Sequence, residues 1–182
     1  MKPLGRGGLD AIVGLYLRDC QPRLAGQLRS FSDEPSLNKA VARACLAQSP
    51  DGKRYTHQRR IRLAALQDAL VRLQSGNLSK SATFVHRSVV HIRGIGELYV
   101  YDTALRIGAK LGVFPEYVYL HSGTRVGARN LGLPWEGPHL LRRDLLPAFQ
   151  GLRPHEVEDC LCIFKDRFRR EAPAAPERRT PC

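Results

Sequence analysis

Two glycines that enclose an isoleucine, Gly94-Ile95-Gly96, join two apolar-periodic runs and offer the clearest potential for chemistry in this sequence. Apolar side chains recur at steps of three and four after the turn, which predicts a helix. Both glycines are expected to adopt positive φ, with Ile95 filling the space between the helices. The uncovered backbone N–H groups would lie at a helix N-terminus, where unpaired donors and the helix dipole favour an anion. The turn therefore predicts a phosphate-binding element.

Basic side chains surround this turn and form a second segment upstream, which has a tyrosine and a histidine interleaved. Together they could supply cations to a polyanion. A run of charges is also typical of a solvated face, and a tight glycine turn can join two helices without any ligand. The nucleic-acid contacts predicted from the two segments are Arg93, Gly94, Ile95, Gly96, Arg106, Lys110, Lys53, Arg54, Arg59 and Arg60.

A further candidate for phosphate contact is the run Ser122-Gly123-Thr124-Arg125, which leads into a short predicted helix. Hydroxyl, glycine and guanidinium groups at a helix N-terminus suit a phosphate chemically. Ser122 or Thr124 could equally be an ordinary N-cap.

Asp102 is the candidate catalytic residue, because it lies shortly after the glycine turn in Tyr101-Asp102-Thr103. The alternative is an ion pair with Arg106 one helical turn later, worth a few tenths of a kcal/mol. The six histidines show no metal-ligand spacing, and no P-loop, dinucleotide fingerprint or nucleophile elbow is present. We therefore predict no metal site and no cofactor.

The turn and its flanking runs resemble the helix-hairpin-helix motif over about thirty residues. Together with Asp102-Thr103 and the segment ending in Lys110-Leu111-Gly112, the turn also resembles part of the helix-hairpin-helix DNA glycosylases. The resemblance implies binding to the phosphate backbone of nucleic acid without reading its sequence. It also implies that a glycosylase-like or other nucleic-acid-processing activity would use Asp102.

The elements that must position these residues are helical. The pattern predicts a mainly α, single-domain helical bundle over residues 1–171, with a helix-hairpin-helix-like unit at about 79–112 and a disordered basic tail at 172–182. Ser36 is expected to cap a helix with a buried stripe that includes Val41 and Ala44. Further helices are expected at 56–74, around 140–149 and from Pro154 to about Arg170, and Trp135 is expected to be buried.

Composition narrows the class of partner. The chain of 182 residues has 29 Lys and Arg against 17 Asp and Glu, a formal charge of +12, which favours a polyanion. The five cysteines are scattered and are expected to be reduced. The apolar run near the start is short and soon charged, so we expect neither a signal peptide nor a membrane partner, and a cytoplasmic location.

The sequence thus predicts a nucleic-acid-binding protein, with duplex DNA as its first candidate partner. Two alternatives stay open. One is an enzyme that processes nucleic acid, and the other is a small regulatory or immunity-type module whose charge serves an acidic protein partner.

Overall fold

The computed structural model describes residues 6–75 and 88–169 and is mainly helical, as the sequence predicts. Within those ranges, strands form one two-stranded antiparallel sheet. The helices are α1 (Arg6–Asp19), α2 (Gln21–Ser32), α3 (Leu37–Cys45), α4 (Leu63–Ser75), α5 (Glu97–Leu111), α6 (Ser122–Leu131) and α7 (Pro154–Ile163), and the strands are β1 (Val118–Tyr119) and β2 (His139–Leu140).

The contacts divide into two compact units. The central unit is Ala25–Phe114, and the terminal unit is formed by the chain up to Leu24 and from Pro115 onward. The single domain expected over residues 1–171 stays a prediction. The first part of the expected helix-hairpin-helix unit, residues 79–87, and the tail at 172–182 lie outside the described residues.

In the central unit, α3 packs against both α4 and α5. Ser36 caps α3 as predicted, because its side chain accepts a hydrogen bond from the backbone N–H of Lys39 at 3.4 Å. The predicted stripe of Val41 and Ala44 is fully buried. Burial of α5 extends well beyond one stripe and includes Arg106, which is 2% exposed. This helix is therefore the core element of the unit rather than a surface helix.

The helix expected to start at Thr56 starts at Leu63 instead, and Thr56–Gln58 is a 3-10 turn. Arg54 gives the physical reason. Its guanidinium donates to the carbonyl oxygens of Gln58 and Ile61, both at 2.7 Å, so the side chain holds this stretch as a loop. A local helical pattern is thus overridden by one side chain that binds the backbone.

The terminal unit buries one apolar core shared by α1, α6, α7 and the sheet. Strand β1 pairs with β2 so that Val118 lies opposite Leu140. The helix expected around 140–149 is replaced by β2 and two 3-10 turns. Trp135 is 38% exposed, so the prediction that it is buried is wrong.

Helix α6 lies very close to α7. A Cβ atom built on Gly127 would come within 3.0 Å of the backbone carbonyl of Leu161, nearer than real Cβ atoms approach. Glycine at this position therefore permits the two helices to pack backbone against backbone.

None of the helices in the described parts of the chain is long and apolar enough to cross a membrane. Cys45, Cys160 and Cys162 are free thiols. Cys20 is disulfide-bonded, which corrects the expectation that every cysteine is reduced.

Candidate functional site

The glycine turn has the predicted positive φ at one of its two glycines. Gly94 has φ +92°, a region that favours glycine. Gly96 does not share it. Its φ of −108° and ψ of 169° are those of extended backbone, and it is the N-cap of α5. Half-buried Ile95 donates its N–H to the carbonyl of Ile92 at 3.1 Å, which closes the turn.

Gly94 and Gly96 should therefore respond differently to the same substitution. A Cβ at either position meets no atom within 4 Å, so the difference is conformational rather than steric. We expect Gly94→Ala to lower the free energy of unfolding by about 1–2 kcal/mol, because alanine is strained at positive φ. Gly96→Ala is the matched control, with a smaller expected loss of about 0.5 kcal/mol, because alanine is a poorer N-cap than glycine but adopts extended backbone without strain. Chemical denaturation of both variants measures this, and equal losses would contradict the assignment of strain to Gly94.

An open groove of about 760 Å³ lies beside the turn, entirely within the central unit. It joins the turn to the start of α4 and so brings Arg60 from the predicted upstream segment together with Arg93 and Gly94. Arg62, which the sequence analysis did not assign to the site, also lines it, and all three arginines are exposed. The remaining lining residues are Ile61, Ala64, Ala65, Asp68 and Ile92.

The other basic residues predicted to contact nucleic acid are held by the protein itself. Buried Arg106 donates to Gln58 Oε1 at 2.9 Å and lies over the Tyr55 ring at 4.2 Å. Lys110 Nζ donates to the Ser32 carbonyl at 3.0 Å. Lys53 forms an ion pair with Asp51. Arg54 donates to the carbonyl oxygens of Gln58 and Ile61, and Arg59 donates to the carbonyl oxygen of Arg54. Arg54 and Arg106 therefore bind the loop before α4, whereas Lys53 and Arg59 are exposed at the surface.

Asp102 joins buried Arg106 to two residues of the loop before α4. Its Oδ2 atom accepts from Gln58 Nε2 at 2.8 Å and from Arg106 at 3.3 Å, and it lies 2.8 Å from His57 Nε2. The ion pair with Arg106 that the sequence offered is present. Gln58 and His57, far away in the sequence, complete the arrangement. The carboxylate therefore ties the loop before α4 to α5, which is a positioning function.

The run Ser122–Arg125 is used internally. Thr124 is fully buried, and its hydroxyl donates to Glu158 Oε1 at 3.0 Å. The N–H of Gly123 donates to His121 Nδ1 at 3.3 Å, so His121 is the N-cap of α6, whereas exposed Ser122 begins the helix. Arg125 donates to three carbonyl oxygens, the shortest at 2.7 Å to Gly137. These groups bind protein atoms where the sequence suggested phosphate.

A second polar cluster, in the terminal unit, was not predicted from the sequence. His121 and Glu158 are buried and hydrogen-bonded to each other through His121 Nε2, and Cys162 lies beside them. Burial alone lowers the pKa of His121. Hydrogen bonds and negative charge from Cys162 and Glu158 outweigh that effect and raise the pKa to about 10. The one signal in the sequence is the spacing of Glu158 and Cys162, which places them on one face of a helix.

No known protein family model matches the chain, and neither the curated proteins nor the solved structures include a significant match.

Proposed function

We propose that this protein binds the phosphate backbone of nucleic acid in the groove between the glycine turn and the start of α4. The observation that carries the proposal is the convergence of Arg60, Arg62 and Arg93 beside Gly94 on one open groove. Three exposed guanidinium groups on one surface suit a row of phosphates, and guanidinium binds phosphate with two parallel hydrogen bonds.

The overall charge supports the same partner. A formal charge of +12 attracts a polyanion at long range, and local arginines then fix its position. Backbone contacts of this kind carry no sequence preference, so we propose duplex DNA of any sequence as the first ligand. Gly94, whose positive φ favours glycine, keeps the turn free of a side chain at the edge of the groove.

Asp102 has a positioning role in this proposal. By binding Gln58 and Arg106, its carboxylate holds the loop that leads to Arg60 and Arg62.

The test is a fluorescence-anisotropy titration with a random-sequence duplex at several salt concentrations. Three arginine–phosphate contacts predict that log affinity falls with log salt at a slope of about −3. The double variant Arg60→Gln, Arg93→Gln should make the slope shallower by about 2 without changing preference among sequences.

A control that loses the same charge elsewhere is Arg143→Gln with Arg169→Gln, two exposed arginines of the terminal unit. Its slope should stay close to that of the wild type. Equal salt slopes for the two double variants would show that net charge, and not the groove, drives binding. Absence of wild-type binding to duplex DNA, single-stranded DNA and RNA would refute the proposal and favour an acidic protein partner.

A further inference from the structure

We propose that His121, Glu158 and Cys162 form a zinc-binding site in the terminal unit. One ligand atom from each residue lies within 4.8 Å of the other two. The proposal is independent of nucleic-acid binding, because the groove belongs to the central unit.

The backbone brings these three side chains together in a specific way. Glu158 and Cys162 are one turn apart on α7 and therefore share a face of that helix. His121 comes from the N-cap of α6. A Cβ on Gly123 would lie 2.6 Å from Cys162 Sγ, and a Cβ on Gly127 would overlap the backbone of α7. The absence of both Cβ atoms on one side of α6 allows the imidazole to approach the thiol.

The donor set selects the metal. A thiolate, an imidazole and a carboxylate suit Zn²⁺, whereas Mg²⁺ and Ca²⁺ prefer oxygen ligands alone. Three protein ligands leave one tetrahedral position for water or a substrate group, which is the arrangement of catalytic zinc sites. The cluster therefore fits a zinc ion that retains an exchangeable ligand.

The surroundings suit a cation. Glu158 is buried, and buried carboxylates in proteins are paired or bind metal. Cys162 lies in the last turn of α7, where the helix dipole favours positive charge. The Thr124 hydroxyl donates to Glu158 Oε1 at 3.0 Å, as a group that orients a metal-binding carboxylate would. Zinc would take the place of the proton in the hydrogen bond between His121 and Glu158 and would bind Cys162 as its thiolate, so both protons would be released to solvent.

The experiment uses the full chain, treated with a chelator, desalted and titrated with Zn²⁺ in competition with a chromophoric chelator. We expect one zinc ion per chain. Cys162→Ser and Glu158→Gln should each weaken zinc binding by at least about 100-fold, since loss of an orienting group alone costs about 10–100-fold. Thr124→Val should weaken zinc binding by about 10–100-fold.

Cys160→Ala is the matched control, because Cys160 is a free, fully buried thiol on the same helix that is absent from the cluster. Burial raises its pKa, so it stays a neutral thiol. This variant should bind zinc as the wild type does. Unchanged zinc affinity in folded Cys162→Ser would overturn the proposal, as would a folded wild type that binds no stoichiometric zinc.

Cobalt substitution of the wild type keeps the test decisive if a ligand variant does not fold. Tetrahedral Co²⁺ bound to a thiolate gives a sulfur-to-cobalt charge-transfer band, which the proposal predicts. Bound Co²⁺ without that band would exclude Cys162 as a ligand. In a parallel assay, zinc should protect Cys162 from alkylation, and alkylation of Cys162 at an unchanged rate in saturating zinc would also contradict the site.

Discussion

Asp102→Ala is expected to lower the free energy of unfolding by about 3 kcal/mol. Removing one partner of a buried ion pair costs about 3–5 kcal/mol, because the remaining charge is left without compensation. The remaining charge here is Arg106, whose side chain is 2% exposed. We place the loss at the lower end because the Asp102 side chain is 17% exposed, so water can partly solvate the gap. Urea denaturation measures the change directly.

The same experiment contains a matched control. Asp68 forms an ion pair with Arg72 at the same helical spacing, but the two side chains are 45% and 49% exposed. Asp68→Ala should therefore cost only about 0.3–0.5 kcal/mol. Asp102→Asn keeps an acceptor oxygen and loses the charge. Its loss in the free energy of unfolding should lie between those of the two alanine variants. Similar losses for Asp102→Ala and Asp68→Ala would show that the buried network does not stabilise the fold.

Gly127→Ala is expected to destabilise the terminal unit by about 3 kcal/mol, the upper end of the usual cost of overpacking. The added Cβ would overlap the Leu161 carbonyl, and backbone cannot rotate away as a flexible side chain can. The helices must then move apart or shift along each other. Thermal and chemical denaturation followed by circular dichroism would report the loss.

Gly14→Ala controls for the intrinsic preference of alanine for helices. Gly14 lies within α1, is exposed, and a Cβ there meets no atom within 4 Å. This substitution should raise stability by about 0.5–1 kcal/mol, because alanine loses less backbone entropy on folding than glycine. If both variants gained stability, the close approach of α6 to α7 would not depend on glycine.

Several features of the fold were determined by the sequence alone. The cap at Ser36 and the stripe of α3 follow from residue types at fixed offsets, which act over one or two helical turns. Positive φ at Gly94 and the ion pair between Asp102 and Arg106 are equally local. Such features depend on neighbours a few residues away, so they can be predicted from one sequence without an alignment.

Tertiary packing decided which charged groups are available to a ligand. Arg106 and Arg60 look alike in the sequence, yet one is buried against Tyr55 and the other lines an open groove. The energy of the Asp102–Arg106 pair depends on that burial, because desolvation and not spacing sets the cost of breaking it. Local patterns contain no information about which face of α5 other helices cover.

The cluster of His121, Glu158 and Cys162 also combines a local feature of the sequence with a contact that only the tertiary structure makes. The sequence places Glu158 and Cys162 on one helical face, but His121 reaches them only because α6 packs closely against α7. The close approach of the two helices depends on Gly123 and Gly127 in α6 and on the Leu161 carbonyl in α7, which is far from them in the sequence. Side chains far apart in sequence meet only when the backbones between them can come close, and this is a property of the folded packing.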